Sequence, residues 1–226
     1  MTSQTQLNTQ KWIDNSRTLI RSNLSGVHRN YLLWQSGFDK LVSKDSKVLD
    51  LGCGSGPFLL YAASKGYTKL YGIEPDPNII KLIPEGLALD VKTGYAESMP
   101  YENESMDAIV IYGVLHHLKA NPEAYQKACA EIDRVLKPSG LLFIMEPGRP
   151  KLLKLIEFAS HILGVFLKAF KALAEALEEE KVEIGYFMRN MHLVRGYFES
   201  HNFKVKVDHF SLYTWIYTVQ KSNRES

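Results

Sequence analysis

The amino-acid sequence predicts an α/β fold, because short apolar strands and helices alternate along most of the chain. Strands are predicted at 47–51, 69–73, 108–112 and 141–145, and helices are predicted after Pro57, after Pro77 and at 122–136. This alternation is typical of parallel strands joined by crossover helices. After residue 200 the apolar residues recur at every second position in two runs, 205–209 and 214–219, which predicts a closing antiparallel pair of strands.

The length of the chain favours one domain with added elements. Its 226 residues exceed the ~150 that are usual for one domain, and 45% of them are apolar, which is enough for a sizeable core. Two N-terminal helices that break near Gly26 are predicted, and a separate helix is predicted at 186–200. The single domain is divided into an N-terminal helical cap at 1–45, a central α/β core at 46–150, a helical lid at 151–185, and a last helix with closing strands at 186–226.

Charge and cysteine content exclude several classes of function. The 27 Lys and Arg residues nearly balance the 25 Asp and Glu residues, and a net charge of +2 provides no broad positive field for nucleic acid. Cys53 and Cys129 are too few for a disulfide framework or a zinc finger. The start of the chain is polar, and charged residues interrupt the apolar stretch 152–177 before it could span a bilayer. We therefore expect a cytoplasmic monomer or homodimer without a transmembrane segment or nucleic-acid partner; peripheral membrane contact is an open alternative.

The segment Val48–Pro57 is the most informative part of the sequence, because a buried strand ends there in three glycines at alternate positions before a helix. Glycine lets the backbone adopt positive φ and approach a ligand closely. The next strand ends in Glu74, about 20 residues beyond the glycines, at the distance where a carboxylate binds ribose hydroxyls. Asp50 would repel a pyrophosphate but suits a ligand that carries ammonium and sulfonium groups, as S-adenosylmethionine does. Two alternatives remain: the glycines form only a tight structural turn, or Glu74 is an ordinary solvated carboxylate at the end of a strand.

Over about residues 47–145 the chain resembles the class I S-adenosylmethionine-dependent methyltransferases, specifically the small-molecule branch that includes the ubiquinone-biosynthesis enzymes. The motifs that carry this resemblance are VLDLGCGSG, GIEPD, TGYAESMPYENESMDAIVIYGVLHHL and VLKPSGLLFI. The resemblance implies a Rossmann-like sheet of seven strands, mostly parallel with the last strand antiparallel, and helices on both faces. It also implies S-adenosylmethionine as the cofactor and S-adenosylhomocysteine as its product.

The resemblance further implies a set of residues around the methyl donor. Glu74 would bind the ribose and Pro75 would cover the adenine, and the remaining positions are Asp50, Gly52, Cys53 and Gly54 at the methionine end, Ala96 and Glu97 at the adenine edge, and Tyr112 and Gly113 after the fourth strand. One departure is Tyr95, which stands where relatives commonly carry an Asp that accepts from the adenine amino group. Either Tyr95 stacks on the adenine, or Glu97 accepts from the adenine amino group in place of the missing Asp.

His116 and His117 follow the strand at 108–112, at the edge where open parallel sheets bind their ligands. A base is needed only when the acceptor loses a proton, so a catalytic role for either histidine stands beside a purely structural one. Joint metal binding by the pair is not expected, and no metal site is predicted. Candidate contacts to the acceptor come from the predicted cap and lid, with ordinary packing, a dimer interface or simple solvation as alternatives: Tyr31, Trp34, Arg149 and Phe166.

Together these patterns predict an enzyme that transfers a methyl group from S-adenosylmethionine to a small, partly apolar metabolite by in-line displacement. Two other functions remain open. A nicotinamide-nucleotide oxidoreductase would also use a glycine turn, although Asp50 and the GxGxG spacing argue against it. A binding module that retains the donor site without catalysis would carry the same residues.

Overall fold

A computed structural model describes residues 24–83, 89–118, 122–148, 168–211 and 214–223, with the backbone alone described for 24–29 and 168–181. Seven strands form one sheet: β1 (Lys47–Leu51), β2 (Lys69–Glu74), β3 (Leu89–Thr93), β4 (Met106–Tyr112), β5 (Leu136–Pro147), β6 (Phe203–Ser211) and β7 (Thr214–Lys221). The described helices are α1 (Leu24–Ser36), α2 (Phe38–Leu41), α3 (Pro57–Ser64), α4 (Pro77–Ile80), α5 (Pro122–Val135) and α6 (Lys168–Ser200), with a 3₁₀ turn at Leu115–His117.

The strand order is β3-β2-β1-β4-β5-β7-β6, and β1 to β5 pair in parallel. β7 lies between β5 and β6 and pairs with both in antiparallel fashion. This confirms the expected seven-stranded, mostly parallel sheet whose last strand is antiparallel. The strands added after β1 lie on one side of it (β2 and β3) and then on the other (β4 and β5), and at this point the carboxyl ends of the strands form the crevice in which open α/β sheets bind ligands.

Alternate side chains of the strands form two apolar cores, one on each face of the sheet. In β4, Ile109 and Ile111 face α5 and α6, whereas Ala108 and Val110 face α1, α2 and α3. Both faces are therefore covered by helices, as parallel sheets require.

A glycine separates the first two described helices. Gly37, which has a φ of 82°, lies between α1 and α2, and the helix predicted before Gly26 lies outside the described residues. Leu32 and Leu33 form the buried face of α1 and are fully buried, while Trp34 is 61% exposed.

The long helix α6 joins two segments that the sequence analysis separated. It runs without interruption from Lys168 to Ser200, so the helix predicted to begin at Tyr186 is its second half. Gly185 keeps a helical conformation there, and the buried residues Phe187, Val194 and Phe198 hold this half of the helix in the core that it shares with α5. Residues 151–167 of the predicted lid lie outside the described residues.

The observed orientation of α1 predicts that two neighbouring substitutions change the stability of the protein by very different amounts. Leu33→Ala removes a fully buried side chain, so the free energy of unfolding is expected to fall by about 2–5 kcal/mol. Trp34→Ala removes a larger but exposed side chain and should change it by less than about 0.5 kcal/mol. Urea denaturation of both variants measures the difference, and a larger loss for Trp34→Ala would contradict this orientation.

Candidate functional site

The glycine turn between β1 and α3 takes its shape from positive φ angles at three positions. Gly52, Gly54 and Gly56 have φ values of 74°, 53° and 83°, a region that residues with a Cβ rarely adopt. A Cβ on Gly52 would come within 2.4 Å of Val114 Cγ2, whereas a Cβ on Gly54 would have no neighbour within 4 Å. The turn is thus packed closely on one side and open on the other.

Glu74, the last residue of β2, holds this turn in place through its carboxylate. Its Oε2 accepts a hydrogen bond from Gly54 N at 3.0 Å, and its Oε1 accepts one from Asp76 N at 3.2 Å. The side chain is largely buried. Each carboxylate oxygen has a second lone pair, so each can accept one further hydrogen bond from a ligand hydroxyl.

Cys53 lies in the same turn and is buried among acidic groups. Burial, Asp50 and Glu74 raise the pKa of the Cys53 thiol far above its ordinary value. The thiol is therefore neutral and unsuited to nucleophilic chemistry at physiological pH. The same two carboxylates give this end of the turn a negative potential, which favours a cationic ligand group.

A first cavity of about 460 Å³ opens beside the glycine turn and is lined by residues that follow β1, β2, β3 and β4. It brings together five residues predicted from the sequence: Gly52, Pro75, Ala96, Glu97 and His117. Its other lining residues are Leu51, Ile73, Gly94, Tyr95, Val114, Leu118 and Ala124. Sequence reasoning missed most of this apolar lining, since only the folded chain distinguishes such residues from ordinary core; the proximity of Val114 and Leu118 to the two histidines was the available signal.

The loop that carries Tyr95, Ala96 and Glu97 is anchored by α5. Glu131 accepts a hydrogen bond from Met99 N at 2.7 Å and receives two from the Arg134 guanidinium, each at 2.7 Å. Arg134 also donates to the carbonyl oxygens of Met99 and Tyr101. Hydrogen bonding to Arg134 lowers the pKa of Glu131 despite some burial. This clamp fixes one wall of the first cavity.

A second cavity of about 240 Å³ lies beyond the ends of β4 and β5 and the start of β7. Its lining residues are Tyr112, Gly113, His116, Met145, Glu146, Pro147 and Thr214. Tyr112 and Gly113, which were assigned to the methyl donor, thus line this cavity and not the first one. Residues of the turn Gly113–Leu118 line both cavities.

The two histidines of this turn have different surroundings, although their rings lie 4.0 Å apart. His116 is buried, and its Nδ1 lies 2.8 Å from Glu146 Oε2. His117 is about half exposed, and its Nδ1 lies 2.6 Å from Glu183 Oε2 on α6. Glu146 was missed by sequence reasoning; a single acidic residue in the apolar run LLFIMEP was the signal that could have revealed it.

The predicted acceptor contacts are not brought to either cavity within the described residues. Tyr31 and Trp34 are exposed on α1 and stack on each other at a ring separation of 6.1 Å. Neither residue lines the first or second cavity. Arg149 and Phe166 lie outside the described residues, as does the predicted insert up to residue 167.

The part of the chain that the structure describes contains neither a membrane-spanning helix nor a cluster of metal-binding side chains. No helix there is long and apolar enough to cross a membrane. No group of three or more His, Cys, Asp and Glu side chains there is arranged to hold a metal ion.

Comparison with known families gives a match over the part of the chain that lines the first cavity. Residues 49–144, from β1 to near the end of β5, match the model of a methyltransferase domain. This part of the chain is therefore similar to a methyltransferase domain.

Similar proteins support the same family over part of their length. A methyltransferase-like protein of Schizosaccharomyces pombe is 31% identical over 129 residues, which cover 57% of this chain and 48% of that protein. A ubiquinone biosynthesis O-methyltransferase of Cereibacter sphaeroides is 34% identical over 124 residues, which cover 52% of this chain and 46% of that protein. The matches therefore span about half the length of these relatives.

A solved structure shows a similar fold over a larger part of the chain. The S-adenosylmethionine-dependent methyltransferase of Methanosarcina mazei superposes with a TM-score of 0.59 at 20% identity. The superposition covers 83% of this chain and 97% of the M. mazei chain. At this level of identity the likeness concerns the fold.

The open side of the glycine turn predicts that a methyl group at Gly54 would block a ligand without disturbing the core. Gly54→Ala and Gly66→Ala both place a Cβ at positive φ, and neither Cβ meets a neighbour within 4 Å. Both variants should lose similar stability, of about 1–3 kcal/mol, from backbone strain. Only Gly54→Ala should weaken S-adenosylhomocysteine binding, by about ten-fold or more, in isothermal titration calorimetry. Equal affinities of the two variants would contradict the location of the ligand.

Proposed function

We propose that this protein transfers a methyl group from S-adenosylmethionine to a small, partly apolar acceptor. The observation that carries the proposal is the Glu74 carboxylate, which accepts from the backbone of the glycine turn at 3.0 Å beside the first cavity. A carboxylate held there retains lone pairs for two ribose hydroxyls. This arrangement supports a nucleoside ligand in the first cavity.

The other donor contacts follow from the residues around Glu74. Pro75, Ala96 and Glu97 line the first cavity beyond the ribose position, so the adenine belongs on that side. The methionine end belongs at the open glycine turn. There the negative potential of Asp50 complements the positive charges of the ammonium and sulfonium groups. The residues present therefore fit S-adenosylmethionine, and the fit does not depend on an Asp at position 95.

When bound, S-adenosylmethionine supplies an electrophilic methyl group and its sulfur retains the electron pair of the broken bond. The residues of the chain hold the reactants in line and exclude water, which supplies much of the rate enhancement in such a reaction. Leu51, Ile73, Val114 and Leu118 give the first cavity its apolar walls. His116 and His117 are the candidates for proton transfer.

The second cavity is the proposed acceptor site. Met145, Pro147 and the Tyr112 ring provide apolar surface, while His116 and Thr214 provide polar groups. This mixture suits a small molecule with an apolar body and a polar reacting group. A relative named ubiquinone biosynthesis O-methyltransferase supports an acceptor of that size class.

Binding of the donor tests this proposal. The amide of Glu74→Gln offers one acceptor oxygen in place of two, so the affinity for S-adenosylmethionine should fall about 10- to 100-fold, equivalent to 1–3 kcal/mol. The control is Glu102→Gln, an exposed residue that lines neither cavity and should leave the affinity unchanged. Calorimetry would contradict the ribose assignment if Glu74→Gln bound the donor as tightly as the unmodified protein.

Two further measurements separate the proposed enzyme from the alternatives. A nicotinamide dinucleotide should not bind, because Asp50 disfavours its pyrophosphate. Release of S-adenosylhomocysteine should depend on the addition of metabolite extract. Donor binding without acceptor-dependent release from a broad set of extracts would favour a binding module over a methyltransferase.

A further inference from the structure

Glu97 is the only carboxylate among the described residues that line the first cavity. The other polar side chains of that lining are Tyr95 and His117, and His117 is already paired with Glu183. Glu97 is partly buried, and it makes no hydrogen bond or ion pair with any described residue. Removing a carboxylate from water is unfavourable unless hydrogen bonds replace its hydration. The first cavity therefore contains an acceptor group that a ligand can satisfy.

A β-turn after β3 holds Glu97 beside this cavity. Ser98 N donates to Tyr95 O at 3.1 Å, so Ala96 and Glu97 are the two central residues of the turn. The Ala96 side chain is buried in the core that lies against α5. Glu97 therefore supplies the charged group that this turn brings to the cavity.

Hydrogen bonds on both sides of the turn fix it relative to the proposed ribose position. Gly94 N, just before the turn, donates to the backbone oxygen of Glu74 at 3.3 Å, while the Glu74 side chain binds the glycine turn. Met99 N, just after the turn, donates to Glu131 on α5 at 2.7 Å. A nucleoside whose ribose binds Glu74 and whose base lies on the side of Glu97 therefore meets that carboxylate at a set distance from its sugar.

The chemistry of a carboxylate restricts the group on the base that it can bind. An ionised carboxylate accepts hydrogen bonds and donates none, so its partner must carry N–H groups. The 6-amino group of adenine donates, whereas a 6-oxo purine has a carbonyl oxygen at that position and would be repelled. The Tyr95 hydroxyl both donates and accepts, so it would bind either base. A site built to bind one polar group rejects the analogue that lacks it.

We propose that Glu97 is the specificity-determining residue of the first cavity and selects a 6-aminopurine over a 6-oxopurine by accepting a hydrogen bond from the exocyclic amino group. The inference rests on the proposed function, because the base is that of the proposed methyl donor. It assigns the amino edge of the base to Glu97. It assigns no hydrogen bond with the base to Tyr95, whose side chain is 62% exposed.

Two ligands that differ at this one position of the base test the inference in the unmodified protein. S-inosylhomocysteine carries an oxygen where S-adenosylhomocysteine carries the 6-amino group. Isothermal titration calorimetry should show that S-adenosylhomocysteine binds about 10- to 100-fold more tightly, the effect of one hydrogen bond to a charged group. Equal affinities would overturn the proposal. This comparison needs no variant, so a variant that failed to fold would not protect the proposal.

The substitution Glu97→Gln identifies the residue that causes the preference. A glutamine amide can donate to a 6-oxo group and accept from a 6-amino group, so the preference for S-adenosylhomocysteine should fall about ten-fold or more. The matched control is Glu102→Gln, which removes the same charge from an exposed residue of the same loop that lines neither cavity and should keep the preference. A preference that survives Glu97→Gln, or that disappears in Tyr95→Phe, would overturn the proposal.

The same titrations separate a failure of this inference from a failure of the proposed function. Glu74→Gln should weaken the binding of both ligands alike, because the two share the ribose. If neither ligand binds the unmodified protein, the first cavity is not a nucleoside site and the proposed function itself is refuted. If S-adenosylhomocysteine binds but Glu97 does not affect the preference, the proposed function stands and only the assignment of the base to Glu97 is refuted.

Discussion

The hydrogen bond from Gly54 N to the Glu74 carboxylate joins the ends of two neighbouring strands, and the first cavity depends on it. The glycine turn must leave β1 with positive φ to present its open side, and Glu74 holds it there from β2. Backbone donors at Gly52 and Cys53 reinforce the connection by binding the Ile73 carbonyl at 2.9 Å. The ligand-facing surface is therefore built from main chain, which is more rigid than side chains of the same reach.

The sheet brings these contacts together at the edge where its parallel strands end. β1, β2 and β4 end side by side, and the turn after β4 packs against the glycine turn through Val114 and Gly52. From the opposite side the same turn is held by Glu146. A change at either contact would be felt in both cavities, because a single short segment forms part of the wall of each. The two cavities thus share the residues of one turn.

Sequence reasoning predicted local structure correctly where the type and spacing of the residues are typical of one arrangement. Alternating glycines before a helix and an acidic residue at the next strand end predicted a turn and a carboxylate that do meet in the structure. It gave no signal for which residues of α1 are buried: Leu32 and Leu33 pack against the sheet, whereas the larger Trp34 is exposed. Glu146 was missed because its partners are 30 or more residues distant in sequence and become neighbours only through the pairing of β4 with β5.

Because β7 runs antiparallel to β5, its first residue lies beside the second cavity. A strand that ran parallel to β5 would finish at this edge, but β7 begins there, so Thr214 stands opposite Pro147 and lines the second cavity. The hairpin formed with β6 therefore completes the sheet and also provides part of the wall of the second cavity. A substitution at Thr214 would change that wall while leaving every lining residue of the first cavity unaltered.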